Sequence, residues 1–87
     1  MTKLCDALNI GKVLELKLNR VGINSLEELQ QTGAENAFAK VITIDKNAGR
    51  TILFSIDGAI SGIPWYEIAQ IRKERLKAYY NELRQQN

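Results

Sequence analysis

The stretch Thr51-Ile52-Leu53-Phe54-Ser55-Ile56-Asp57-Gly58-Ala59-Ile60-Ser61-Gly62-Ile63 decides between an all-α fold and one that contains a β-hairpin. Its first half is rich in β-branched and aromatic residues. So is Val41-Ile42-Thr43-Ile44 upstream, and Asn47-Ala48-Gly49 between them is turn-prone, so two strands can be drawn. Against that, Ile52, Ile56, Ile60 and Ile63 recur at steps of three and four residues, over a span longer than a typical strand. The period favours a buried helix, and Phe54 on its opposite side implies that other helices surround it. Gly58 and Gly62 are weak helix formers, and their presence implies close approach of a neighbouring backbone. Pro64 ends the segment.

Working outward toward the N-terminus, Thr32 and Glu35 have the spacing of a capping box. A helix should therefore begin near Gly33 and carry Ala34, Ala37, Phe38 and Val41 on one face. Ser25 and Glu28 have the same spacing, so another helix starts there with Leu26 and Leu29 inward. Leu4 and Leu8 mark a short first helix ending at Asn9. Gly11 opens a second one that runs to Val21 and is stopped by Gly22. Toward the C-terminus, a helix from about Gln70 to Arg84 presents Leu76, Tyr79, Tyr80 and Leu83 as a docking stripe. The expected architecture is all-α: five or six short helices in a compact bundle, forming a single domain over residues 1–87.

Composition agrees with one small soluble core and removes several chemistries. The 87 residues are 45% hydrophobic and 25% charged, with a net charge of +2, far from the basic excess of a protein that coats nucleic acid. The absence of histidine removes imidazole bases, Ser-His and Cys-His pairs and the common zinc sites. Cys5 is the only cysteine, so an internal disulfide is excluded, and its expected role is that of a small residue near the core. Asp6 interrupts the only apolar stretch near the start, and no run is long enough to span a bilayer, which leads to a cytoplasmic assignment without signal peptide or membrane contact. Glu27 and Glu28 diverge on a helix and cannot form an acid–base pair. Asp57 is expected in a structural hydrogen bond or ion pair. Phosphate-loop, dinucleotide and metal-ligand spacings are all missing, so neither a cofactor, a metal nor an enzymatic activity is expected.

Several ordered motifs carry a resemblance. They are Asn9-Ile10-Gly11-Lys12-Val13-Leu14, Leu18-Asn19-Arg20-Val21-Gly22-Ile23, Leu26-Glu27-Glu28-Leu29, and Gly33-Ala34-Glu35 with Ala37-Phe38. Leu53, Asp57-Gly58-Ala59-Ile60, Gly62-Ile63, Trp65, and Arg72-Lys73 ahead of Leu76 continue the series. In order and spacing the chain resembles the C-terminal domain of the TfoX (Sxy) family of competence regulators over nearly its whole length. The resemblance implies a SAM-like, helix-hairpin-helix-like fold and a bacterial, regulatory role in transcription of DNA-uptake genes. It departs in architecture, because family regulators usually carry an N-terminal domain and this sequence starts at the C-terminal one. Leu16 also stands where relatives tend to have a charge, whereas Leu18 matches.

Two function classes follow: a non-catalytic regulatory module acting through a protein partner, such as the transcription machinery, or a weak binder of the DNA backbone without sequence preference. For DNA, Asn9-Ile10-Gly11-Lys12 is similar to a Gly-hydrophobic-Gly hairpin, with Asn9 in place of the first Gly. Gly11 permits close approach and Lys12 adds charge, although the same turn also serves simply to join two helices. In the last helix Arg72, Lys73, Arg75, Lys77 and Arg84 outnumber Glu74 and Glu82. At ~100° per residue, Lys73, Lys77 and Arg84 fall within about 40° of one another, as a second basic candidate or a solvated face. For a protein partner or a second copy of the chain, the candidates are Leu16, which falls about 160° from the core-facing Leu14, and Arg20 beside it. Trp65 is expected in the core.

Overall fold

A computed structural model describes residues 1–86. Among them the helical period of the Ile52 segment prevails and no strand forms. The α-helices are α1 (Lys12–Arg20), α2 (Leu26–Thr32), α3 (Ala34–Ile44), α4 (Arg50–Ser61) and α5 (Gln70–Gln86), with 3-10 turns at Leu4–Asp6 and Trp65–Glu67. The upstream β-branched run is the end of α3, where Val41 and Ile42 are buried one helical turn along from Ala37 and Phe38. Those side chains share a helical face with a ready core, and burial there outweighs their preference for strands.

The predicted first helix is only the 3-10 turn Leu4–Asp6; Ala7 is already extended and Leu8 is exposed. So few residues cannot offset the cost of nucleating an α-helix. Leu4 nevertheless contributes a fully buried side chain. The chain before α2 is also tied down, because Thr2 donates through its N–H and hydroxyl to the Glu27 carboxylate, both at 2.9 Å. The Thr2 carbonyl in turn accepts from the Leu26 N–H at 3.0 Å.

Of the two expected capping boxes, one forms. Ser25 Oγ accepts from the Glu28 N–H at 3.1 Å, while the Glu28 carboxylate accepts from the Asn24 N–H at 2.7 Å, one residue earlier than a standard box. Thr32 does not cap α3. It remains in the last turn of α2, where its hydroxyl donates to the Glu28 carbonyl at 2.8 Å. Gly33 separates the two helices at φ +85, a left-handed-side value that a residue with a Cβ rarely adopts. A single glycine thus joins α2 to α3 without a loop.

α3 and α4 pack against each other, α5 lies across both, α2 contacts α3 and α4, and α1 contacts α3 and the first 3-10 turn. Phe38, Leu53, Ile56, Leu18, Leu29 and Val41 are fully buried where these elements meet. α5 docks through its predicted stripe: Leu76 is buried, Tyr80 lies 5.9 Å from the Phe38 ring, and the Tyr79 hydroxyl donates to the Glu35 carbonyl at 3.0 Å. Arg72 adds a tether, pairing with Asp57 and donating to Ser61 Oγ at 2.7 Å, so Asp57 has the structural role expected of it.

Candidate functional site

The turn before α1 is built around a residue that standard sequence rules would not place there. Asn9 has φ +74, a region that asparagine tolerates better than most side-chain-bearing residues. Its amide is engaged within the fold. Nδ2 donates to the Ile63 carbonyl at 2.9 Å and the Ser55 carbonyl at 3.4 Å, and Oδ1 accepts from the Trp65 N–H at 3.1 Å. These bonds join the turn to the middle of α4, to the residue after its C-cap and to the start of the second 3-10 turn. Ile10 is buried beneath it, whereas Gly11, the N-cap of α1, and Lys12 are exposed. The turn therefore offers exposed backbone and one cation, and Asn9 supplies its shape.

Gly58 is explained by the same contact. A Cβ at this position would stand 2.5 Å from Asn9 Nδ2 and 2.6 Å from the Ile63 carbonyl oxygen. The expected close approach is real at Gly58 but not at Gly62, where a side chain would meet open space. Gly62 instead adopts φ +76 as the left-handed C-cap of α4.

The outer face of α1 places Leu16 where the periodicity puts it. Leu18 is fully buried and Leu14 half-buried, whereas Leu16 is 62% exposed and Val13, one turn before, is 69% exposed. Val13 is an addition to the sequence reading, and its three-residue separation from Leu16 was sufficient to find it. Arg20, Lys12 and Asn19 are exposed on the same side. The charges that lie closer to the body are used internally: Glu15 accepts from the Cys5 N–H at 3.1 Å and Lys17 pairs with Asp45 at 2.5 Å.

The basic residues of α5 do not act as one free cluster. Arg84 lies over the Tyr80 ring at 5.8 Å and donates to the Lys46 carbonyl, while Lys73 and Lys77 are half-buried. Trp65 is a correction to the expectation of a core residue. It is 37% exposed, beside the more exposed Tyr66, with ring centroids 5.8 Å apart in an edge-to-face arrangement. Phe38 and the aliphatic side chains of α3 and α4 already fill the centre, and the 3-10 turn carries Trp65 along its margin. The groove between the start of α3 and α5, about 310 Å³, is lined by Arg72 and Arg75 but equally by Glu35 and Asp57, so its formal charges cancel.

Residues 1–80, which include the Asn9 turn, the α1 face and most of α5, match the model of the TfoX C-terminal domain family. The chain belongs to that family. Two crystal structures are similar. An uncharacterized protein from Listeria monocytogenes in a triclinic form has a TM-score of 0.92 at 33% identity, over 94% of this chain and 93% of that one. A protein of unknown function from Listeria monocytogenes in a tetragonal form has a TM-score of 0.89 at 34% identity, over 92% and 99%. No curated protein matches significantly. The TfoX C-terminal domain family implies a regulatory, competence-associated module.

Four ionisable groups of this TfoX C-terminal domain are shifted by their place in the fold. The hydrogen bonds from Thr2 hold Glu27 below the usual carboxylate range, and the bond from Lys17 does the same for Asp45. The Glu15 carboxylate raises the Cys5 thiol, and burial raises Tyr79. Among the described residues no group of three or more His, Cys, Asp or Glu is placed to hold a metal ion, and no helix is long and apolar enough to cross a membrane.

Proposed function

We propose that this chain is a non-catalytic regulatory module of the bacterial cytoplasm, one folded domain over residues 1–87, that acts in competence and transcription control by binding a protein partner. The observation that supports this reading is the exposure of Val13 and Leu16 side by side on α1. Single exposed apolar residues are ordinary, but a pair one helical turn apart, flanked by Lys12 and Arg20, has the composition of an interface centre with a polar rim. Family membership supplies the regulatory context.

The test is capture from lysate of the native bacterium with the intact chain and with Leu16→Glu as bait. The wild type should retain a component of the transcription machinery that the variant loses, while the stability of the variant stays within about 0.5 kcal/mol. Equal retention by both removes Leu16 from the interface, and Leu16-dependent self-association in sedimentation points to a second copy of the chain instead.

A second reading is weak contact with the DNA backbone through Gly11 and Lys12, favoured by the exposure of both at the start of α1. Lys73 and Lys77, half-buried on α5, are the other cations this reading would use, whereas Asn9 and Arg84 already have partners within the fold. Duplex titrations at two salt concentrations test it. Lys12→Ala should weaken binding to all sequences alike and reduce the salt slope by about one unit. Absence of any retardation of duplex DNA at low salt leaves the protein-partner reading alone.

A further inference from the structure

We propose that the outer face of α1 is the docking surface for an acidic amphipathic helix of the protein partner, an inference that rests on the partner reading above and names the partner's chemistry. With Leu16 as the centre and ~100° per residue, Lys12 and Arg20 lie about 40° to either side and Val13 about 60° away. Lys12 is the first residue of α1 and Arg20 the last, so the two cations stand roughly 12 Å apart along the axis with the apolar pair between them. Every exposed charge on this helix is positive. Its one acid, Glu15, accepts from the Cys5 N–H, and Lys17 is neutralised by Asp45. Among the described residues neither Lys12 nor Arg20 has an ion-pair partner.

This pattern selects among occupants. A DNA backbone satisfies the two cations but leaves Val13 and Leu16 exposed to water or to phosphate. Two copies of the face packed against each other bury the apolar pair but set cation against cation at both ends. A helix with an apolar stripe and carboxylates on both flanks satisfies all four residues. Its carboxylates steer association toward a face whose immediate charge is positive, although the whole chain is close to neutral.

The experiment titrates the full chain with a labelled synthetic amphipathic helix that has a leucine stripe and glutamate flanks, and with a matched peptide that has lysine flanks. Anisotropy reads affinity, and backbone amide NMR shifts locate the contact. The glutamate peptide should bind, weaken as salt rises, and shift residues 12–20. Leu16→Glu and Val13→Asp should each reduce affinity by roughly tenfold or more. Lys12→Glu with Arg20→Glu should reverse the preference toward the lysine peptide, and circular dichroism of each variant should confirm that the fold is kept. Equal binding of both peptides, shifts centred elsewhere, or no binding overturns the proposal. If the Lys12→Glu, Arg20→Glu chain still captures the cellular partner, the partner reading survives and this docking face falls. If no cellular partner is captured while the glutamate peptide binds as expected, the reverse holds.

Discussion

Replacing Gly58 by alanine separates helix propensity from packing, because the two predict opposite signs. Inside α4 the substitution should gain about 1 kcal/mol from propensity alone. The new methyl, however, would stand 2.5 Å from Asn9 Nδ2 and 2.6 Å from the Ile63 carbonyl oxygen. The Asn9 amide can swing aside, at the loss of a 2.9 Å hydrogen bond worth about 1 kcal/mol. The Ile63 carbonyl is backbone, held by the bond from the Ile63 N–H to the Gly58 carbonyl at 2.9 Å, and moving it adds an overpacking cost of about 1–3 kcal/mol. The net expectation is a destabilisation of about 1–3 kcal/mol, read as a lower urea midpoint with unchanged slope in far-UV circular dichroism. In a chain of this size that lowers Tm by roughly 4–8 °C per kcal/mol. Asn9→Gly keeps the positive φ but removes the amide, so combining it with Gly58→Ala should cost less than the sum of the single changes. A Gly58→Ala chain as stable as the wild type, or more so, would refute the reasoning.

The remaining expectations concern caps, acids and the thiol. Ser25→Ala should cost about 1 kcal/mol in chemical denaturation and Thr32→Ala clearly less, because only Ser25 caps a helix. Glu27 and Asp45 have folded-state pKa values below their ordinary ones, so the stability they contribute is present above the ordinary carboxylate range and is lost as pH falls through and below it. Asp45→Asn should therefore flatten the acid limb of a Tm-against-pH curve. Glu15 raises the Cys5 thiol, so alkylation near neutral pH should be slower than for a free thiol and should accelerate in Glu15→Gln.

Features set by short-range spacing were legible. The isoleucine period of α4, the Ser25 cap, the α5 stripe and the outward Leu16 all depend on residues within one or two turns of each other, and the chain obeys them. Thr32 has the same spacing to Glu35 that Ser25 has to Glu28, yet its environment differs: α2 continues through Thr32, and Gly33 makes the break with its positive φ. Spacing marks where a cap is possible, not where the preceding helix stops. Trp65 shows the limit for tertiary placement, since its size suggests burial while Phe38 and the aliphatic core have already filled the interior. The engagement of Asn9 was the least readable feature. Its partners Ser55, Ile63 and Trp65 lie 46, 54 and 56 residues away, and no local pattern indicates that one amide will serve all three.

Those three bonds also make the turn non-portable. Residues 1–24 contain the hairpin-like sequence, but the groups that hold Asn9 in its left-handed conformation belong to the far half of the chain. Grafted onto another scaffold, or made as a peptide, the segment would keep its letters and lose its shape. A transplanted α1 would then present Gly11 and Lys12 from a loose leader, with the approach to its first turn no longer set.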